Sequence, residues 1–149
     1  MFNENLELSG QVAIVLRDKD GNVKEERTEK NLVVTTGLNY IASRMKDASA
    51  TAMTHMALGS GTTAAAAGQT DLVTLLGSRE ALDSTTVTAN AVAYVSSFEA
   101  GDATGAVTEA GIFNASTSGT MLCRVVFSVV NKAADDTMTV TWTITLAAS

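Results

Sequence analysis

The sequence predicts a mainly β protein, an antiparallel β-sandwich with one short α-helix at about residues 37–48 and a projecting N-terminal hairpin. Three observations predict this fold. The run TMTVTWTITL alternates apolar and polar residues without a break, as a half-buried strand does. An Asp-Gly pair separates two extended runs, which is typical of a hairpin turn. Helical spacing of apolar residues is clear in a single segment.

The chain has 149 residues, which suits one domain with a core of its own. We therefore predict a single β-rich domain over 1–149, with the hairpin at 6–34 and the helix and sandwich at 35–149. Several strands follow one another in hairpin order, and an antiparallel sandwich accommodates that order.

The N-terminal hairpin is predicted from strands at 6–18 and 23–34, joined by Lys19-Asp20-Gly21-Asn22. Glycine accepts the positive φ that tight turns require. The outer ends of both strands are charged and the inner ends are apolar, so we expect the hairpin to project with its tip in water. The run from Asp18 also hints at a calcium loop, but its glycine comes two positions too early, and a turn is favoured.

The helix is predicted to open at Thr35-Thr36-Gly37 and to continue through LNYIASRMKDA at 38–48. A threonine at 35 or 36 would cap the free amides of the first turn. One face is expected to carry four apolar residues at helical spacing, namely Leu38, Ile41, Ala42 and Met45.

The middle of the chain is predicted to hold short strands and one helical turn. A strand at 53–61 ends in glycines, and Thr70 and Asp71 begin a turn that carries Leu72, Leu75 and Leu76 on one side. A strand at 86–100 has an inward face, and a further short strand occupies 106–116. The inward face of the longer strand comprises Val92, Tyr94, Ser96 and Phe98.

The last two strands are the clearest. The run at 120–130 is apolar on both faces, which is typical of a strand buried in the middle of a sandwich, and Cys123 is expected there as a small buried hydrophobic residue. The strand at 137–146 should turn Trp142 to the core and its threonines to solvent or a neighbouring subunit.

Composition excludes several classes of function. The chain is 46% hydrophobic but only 17% charged, so we expect a partner to cover part of its surface. A net charge of -6 with scattered basic residues argues against nucleic acid. No signal peptide and no apolar run of the ~18 residues that span a bilayer are present, so we expect a soluble protein made in a reducing cytoplasm and no membrane partner.

No catalytic constellation is found. The loop LGSGTTAAAAGQTDL at 58–72 has glycines but lacks the lysine of a phosphate loop. His55 is the single histidine and Cys123 the single cysteine, so paired metal ligands and most triads are excluded. Carboxylates at 99–109 suggest no sugar cleft, because aromatic residues are scarce. We predict no catalytic residue, no cofactor, no metal ligand and no enzymatic activity.

Glu109 stands out because it lies among apolar residues in TEAGIF. A buried carboxylate requires a cationic partner. We therefore predict a structural ion pair between Glu109 and either Arg79 or Arg124.

Five segments taken in order resemble a group of small structural proteins of tailed bacteriophages. They are NLVVTTGLNYIASRM at 31–45, MALGSGTTAAAAGQTDL at 56–72, VTEAGIFNAS at 107–116, GTMLCRVVFSVVNK at 119–132 and TMTVTWTITL at 137–146. The resemblance covers roughly residues 31 to 146, and the hairpin at 6–34 matches less well.

The resemblance implies a non-enzymatic virion component, made in the host bacterial cytoplasm. We favour a decoration or cement protein on the capsid surface, a homo-oligomer such as a trimer that bridges subunits of the major capsid protein. Two alternatives are a tail, collar, baseplate or fibre-associated protein and, from another class, a carbohydrate-binding β-sandwich module. Two segments are the candidate contact elements, namely Asp20, Gly21 and Asn22, and Gly59, Ser60, Gly61, Thr62, Thr63, Ala64, Ala65, Ala66 and Ala67.

Overall fold

The computed structural model describes residues 5–46 and 51–148, and it contains two five-stranded antiparallel sheets and one α-helix. The mainly β fold class is confirmed. In chain order the elements are β1 (Leu6–Arg17), β2 (Val23–Lys30), β3 (Leu32–Val33), α1 (Thr35–Arg44), β4 (His55–Gly59), β5 (Glu80–Ala81), β6 (Ser84–Thr88), β7 (Ala91–Phe98), β8 (Gly105–Phe113), β9 (Met121–Lys132) and β10 (Thr137–Ala148).

The first sheet has the strand order β2-β1-β10-β7-β6. β1 pairs with β10 along its whole length, from Leu6 opposite Ala148 to Arg17 opposite Thr137. The N-terminal hairpin therefore does not project as predicted, because its first strand is an inner strand of the sheet. The turn that follows Arg17 is exposed from Lys19 to Asn22.

The turn between β1 and β2 confirms the predicted hairpin. The carboxylate of Asp18, which suggested a calcium loop in the sequence, instead accepts hydrogen bonds within this turn. Asp18 accepts hydrogen bonds from the amides of Asp20 and Asn22, at 2.9 and 3.0 Å. Gly21 has a φ of +83°, a conformation that glycine adopts without strain. Hydrogen bonds from the amides of Asn22 and Asp20 hold the pKa of Asp18 below its usual value.

The second sheet has the order β3-β9-β8-β4-β5. The predicted strand at 23–34 is divided at Asn31, and its second part, β3, crosses to this sheet and pairs with β9. β9 is buried on both faces from Met121 to Val125, but Ser128 and Val129 are exposed, so the predicted burial of both faces holds only for the first part of the strand.

The core lies between the sheets, where the inward residues of β10 meet those of the second sheet. Trp142, Val140 and Phe98 are fully buried there together with Cys123. The predicted inward face of 92–98 is confirmed, with Tyr94, Ser96 and Phe98 buried and Val92 half-buried. The alternation of β10 is also confirmed, because Met138 to Ile144 are buried at every second position.

The helix occupies Thr35–Arg44, and the predicted end at 47–48 lies outside the described residues. Its predicted apolar face is wrong, since Leu38 is 49% and Met45 87% exposed. Of that face only Ile41 contacts the core, and Tyr40 contacts it beside Ile41. Gly37 sets this rotation, because a Cβ there would lie 1.9 Å from the carbonyl oxygen of Leu122.

The predicted threonine cap of the helix is also wrong. The N-cap residue is Val34, and its side chain makes no capping hydrogen bond. The hydroxyl of Thr36 donates to the carbonyl of Met121 at 3.0 Å, while the amide of Thr35 donates to the carbonyl of Ala67 at 2.8 Å. Tertiary contacts thus supply the partners that a local cap would supply.

Two further predictions in the middle of the chain are wrong. Residues 70–76 form no helical turn, because the amides of Val73 and Thr74 are bound by a carboxylate from β8. The segment 86–100 is a hairpin rather than one strand, since β6 and β7 are joined by a turn at Ala89, which has a φ of +51°.

Candidate functional site

The most elaborate polar arrangement is a buried ion pair on the outer face of the second sheet. Glu109 comes from β8 and Arg124 from the neighbouring β9, and neither side chain has any exposed surface. Oε2 of Glu109 accepts hydrogen bonds from Nε and Nη2 of Arg124 at 2.9 and 2.7 Å. The predicted ion pair is confirmed, and Arg124 is the partner.

Arg79, the other predicted partner, has a different position. Its guanidinium carbon lies 3.5 Å from the centroid of the Phe113 ring, a cation–π contact. Its Nη1 donates to the carbonyls of Ala115 and Ser118 at 2.9 and 2.7 Å. Arg79 therefore fastens the loop that follows β8.

The ion pair holds the segment that connects β4 to β5. We call residues 60–79 the covering loop, because they lie against the outer face of the second sheet. Oε1 of Glu109 accepts hydrogen bonds from the amides of Gly61 and Thr74 at 2.9 and 2.8 Å, and Oε2 accepts one from Val73 at 3.1 Å. One carboxylate thus joins the start of the loop to Val73 and Thr74.

Glycine is required where the loop approaches this carboxylate. A Cβ on Gly61 would lie 2.4 Å from Oε1 of Glu109, and one on Gly59 would lie 2.4 Å from the carbonyl oxygen of Thr74. Gly68 has open space around it and serves no such contact. Gly59 and Gly61 of LGSGTTAAAAGQTDL therefore receive a carboxylate of the protein itself, a role that the sequence did not predict for them.

Arg124 holds the middle of the covering loop. Its Nη1 donates to the carbonyl of Thr63 at 3.0 Å and to Oε1 of Gln69 at 2.8 Å. Gln69 in turn accepts a hydrogen bond from the amide of Ala66 and donates one to the carbonyl of Ala64. The alanine run is therefore a closed turn fixed from beneath by a guanidinium.

A small second apolar cluster completes the underside of the covering loop. Half-buried Leu72 lies against four buried residues, namely Val34, Ala57, Phe113 and Met121. Both faces of the second sheet are therefore covered, which explains why β8 is buried without interruption from Val107 to Phe113.

The electrostatics of Glu109 favour its charged form. Burial alone would raise the pKa of this carboxyl, but hydrogen bonds from the amides of Thr74, Val73 and Gly61 and from Arg124 outweigh burial and lower it. The side chain is therefore a carboxylate at neutral pH, with its lone pairs occupied by donors from the chain. Its role in this geometry is to anchor the loop.

The candidate contact residues are partly at the surface. Thr62, Thr63, Ala64, Ala66 and Ala67 are exposed, and Ser60 and Ala65 are half-buried. Gly59 and Gly61 are buried beneath them. The three residues of the other candidate segment, Asp20, Gly21 and Asn22, are exposed at the hairpin turn.

A second polar cluster was missed by sequence reasoning. Lys132 is buried and its Nζ donates to the carbonyl of Glu99 at 2.8 Å. Asp136, also buried, accepts hydrogen bonds from Nζ of Lys24 at 2.7 Å and from the amide of Ala133 at 2.8 Å. The available signal was the inward period of β9, which continues from Val130 to Lys132.

The pKa values of this cluster reflect its partners. Burial lowers the pKa of Lys132, and the nearby carboxylates of Asp102, Asp136 and Glu99 oppose that effect. The hydrogen bond from Lys24 lowers the pKa of Asp136. The cluster ties β2, the end of β7 and the β9–β10 connection together at one end of the sandwich.

Two other residues that stood out in the sequence are the single histidine, His55, and the single cysteine, Cys123. Nδ1 of His55 lies 2.8 Å from the hydroxyl of Thr54. Burial raises the pKa of the Cys123 thiol. Within 5–46 and 51–148, no group of three or more His, Cys, Asp or Glu side chains is placed to hold a metal ion, and no helix is long and apolar enough to cross a membrane.

The outer face of the first sheet is open and uncharged across the middle of its three inner strands. We call the twelve residues of this region the outer threonine face. They share small or uncharged side chains that are exposed or half-exposed, and they are Ser9, Gln11, Ala13 and Val15 of β1, Thr139, Thr141, Thr143 and Thr145 of β10, and Ala91, Ala93, Val95 and Ser97 of β7.

Aromatic side chains contribute little to the described surface. Trp142, Phe98 and Phe113 are fully buried, and Tyr94 and Phe127 are nearly so. Among the described aromatic residues, Tyr40 is the most accessible, and it is half-buried. A sugar-binding surface ordinarily presents aromatic rings for stacking, so this geometry does not favour the carbohydrate-binding alternative.

Comparison with known proteins gave no match to a family model, to a curated protein or to a solved structure.

Proposed function

We propose that the chain is a non-enzymatic structural component of a tailed-phage virion, which decorates and cements the capsid by bridging neighbouring subunits of the major capsid protein. The observation that carries this proposal is the covering loop, whose exposed small residues are fixed from beneath by Glu109 and Arg124. The motif resemblance supplies the class of particle.

A fixed loop of small residues is suited to docking. Because its backbone is already ordered, little conformational entropy is lost when a partner binds it. Alanine and threonine side chains let another backbone approach closely, so the contact has high shape complementarity and few charges to desolvate.

The outer threonine face offers a second contact surface. Interface cores are depleted in charged residues, and the twelve residues of this face carry no charge in a chain of net charge -6. A protein that binds through two or more such surfaces gains avidity from several weak contacts. The mechanism is passive: each contact bridges subunits and slows their separation.

The direct test is to measure the copy number and position of the chain in purified particles, by gel densitometry and imaging. Hundreds of copies on the head support capsid decoration, whereas a handful to a few dozen on the tail support the tail alternative. Absence of the chain from particles would overturn the proposal for both locations.

A binding test addresses the covering loop itself. Particles that lack the protein would be mixed with purified wild-type chain, with Ala66→Glu, or with the control Thr117→Glu, since Thr117 is exposed in the loop after β8. We expect Ala66→Glu to lose particle binding at unchanged melting temperature while the control binds as wild type. Normal binding by Ala66→Glu would place the contact on another surface.

A further inference from the structure

The two edges of the first sheet are protected very differently. β2 carries six charged residues among its eight, VKEERTEK, and charge on an edge strand discourages pairing with another chain. Arg27 of β2 also donates to the carbonyls of Ser128 and Val129, across to the second sheet. This edge is closed to further strands by charge and by contacts with β9.

The opposite edge, β6, has no such protection. Its sequence Ser84-Thr85-Thr86-Val87-Thr88 contains no charge, no proline and no glycine, and all five residues are exposed. Its pairing with β7 runs without a bulge. The described edges of the second sheet, β3 and β5, are only two residues long each. β6 therefore presents a five-residue edge of backbone donors and acceptors that neither charge, proline nor a bulge protects.

An apolar groove lies beside this edge. Val87 is 71% exposed and faces the same side of the sheet as Val92 and Ile144. With Ile41 of the helix, these side chains line a groove of about 380 Å³ between the helix and the inner face of the first sheet. A strand added at β6 would place alternate side chains at the mouth of this groove.

We propose that β6 pairs antiparallel with β6 of a second copy of this chain, so that the two first sheets join into one continuous sheet across a two-fold axis at Thr86. In this register Thr86 lies opposite Thr86 of the second copy, and Val87 lies opposite Thr85. Two-fold contacts are the commonest in homo-oligomers, and a strand paired with itself meets the requirement for a self-complementary surface.

Charge favours a second copy at this position. Two copies of net charge -6 repel each other in general, and an uncharged edge adds no local repulsion to their contact. The nearest acid in sequence, Asp83, lies opposite Ala89 in this register. The two Asp83 residues are then six positions apart along the strand, about 20 Å, which exceeds the Debye length of about 8 Å at physiological salt.

This contact between two copies can be tested without the proposed virion function, because the measurement requires only purified protein. It also differs from the trimer that the resemblance implies, since an isologous edge contact gives dimers. The molar mass of the chain would be measured by light scattering at low and high concentration. We expect wild type to reach twice the 15.4 kDa of one chain.

Two variants locate the contact. Thr86→Lys sets two lysines against each other at the two-fold axis, and we expect self-association to weaken more than about tenfold. Thr28→Lys is the matched control, because Thr28 is an exposed threonine on the opposite edge of the same sheet. We expect this control to dimerise as wild type, and both variants to keep the wild-type melting temperature at low concentration, where wild type is monomeric.

A cross-link tests the register. Thr86→Cys should form a disulfide-linked dimer under mild oxidation, since directly opposed residues of antiparallel strands satisfy disulfide geometry. Thr28→Cys should not, and Cys123 is buried and should not compete. A monomeric wild type, a trimeric mass, a dimer that survives Thr86→Lys, or failure of Thr86→Cys to cross-link would overturn the proposal.

Discussion

Replacing Glu109 by glutamine should destabilise the protein more than the same substitution at a partly exposed glutamate. The carboxylate receives five hydrogen bonds, from the amides of Gly61, Val73 and Thr74 and twice from Arg124. Glutamine keeps the shape but turns one acceptor oxygen into a donor, which must then face backbone amides or a guanidinium. It also leaves Arg124 as a buried cation without its counter-charge.

The magnitude follows from the burial of both side chains. Removing one partner of a buried ion pair costs about 3–5 kcal/mol, because the other charge remains desolvated and unpaired. At about 2–4 °C per kcal/mol for a domain of this size, the melting temperature should fall by about 6–20 °C. Glu25→Gln is the control. Glu25 forms an ion pair with Arg27, and the two side chains are 33% and 22% exposed. This pair should contribute less than about 1 kcal/mol to the free energy of unfolding.

The assay is thermal and urea unfolding of wild type, Glu109→Gln, Arg124→Met and the double variant. In the double variant no buried charge is left unpaired. The losses of unfolding free energy in the two single variants should therefore not add, and we expect an interaction energy of about 1–3 kcal/mol from the double-mutant cycle. Amide hydrogen exchange of Gly61, Val73 and Thr74 should accelerate in Glu109→Gln, since these donors lose an acceptor.

Two results would refute this reasoning. A melting temperature of Glu109→Gln within about 2 °C of wild type would mean that the pair contributes no more than an exposed one. Strictly additive losses in the double variant would mean that the two side chains act separately.

Three further predictions follow from the same geometry. Gly61→Ala should lower the free energy of unfolding by about 1–3 kcal/mol in urea titrations, because its Cβ would lie 2.4 Å from Glu109, whereas Gly68→Ala, in open space, should change it by less than about 0.5 kcal/mol. Because the pKa of Glu109 is lowered in the folded protein, its contribution to the free energy of unfolding is complete above the unfolded pKa of about 4.3 and is lost as pH falls through the folded pKa. The difference in stability between wild type and Glu109→Gln should therefore narrow on acidification. A difference that widens below about pH 4 contradicts this. Cys123, buried with a raised pKa, should react with a thiol reagent only at the rate of unfolding, and fast labelling of the native protein would contradict its placement.

Local pattern was sufficient for much of the fold. Alternation in β10 determines which residues face the core, because successive side chains of a strand point to opposite sides. The Asp-Gly turn between β1 and β2 determines that hairpin, since glycine takes the conformation that the turn needs. Glu109 was identifiable because a carboxylate among apolar residues requires a partner.

Contacts between distant segments decided the rest. The rotation of the helix depends on how closely Gly37 approaches β9, and its apolar spacing contains no information about that distance. The choice of Arg124 over Arg79 depends on the register of β8 and β9, which places Arg124 opposite Gly111, two residues from Glu109. The N-terminal hairpin looks like an independent unit in the sequence, but β10, more than a hundred residues later, pairs with it.

The sequence by itself determined a β-sandwich and a need for one buried ion pair, because periodicity and the cost of burying charge act locally. Tertiary structure alone decided what LGSGTTAAAAGQTDL does. The segment resembles a phosphate loop only in having glycines, and the group that Gly59 and Gly61 receive is the carboxylate of Glu109, brought there by the pairing of β4 with β8. The place of β6 at an edge of the first sheet was likewise set by the order of strands in that sheet, which no local pattern encodes.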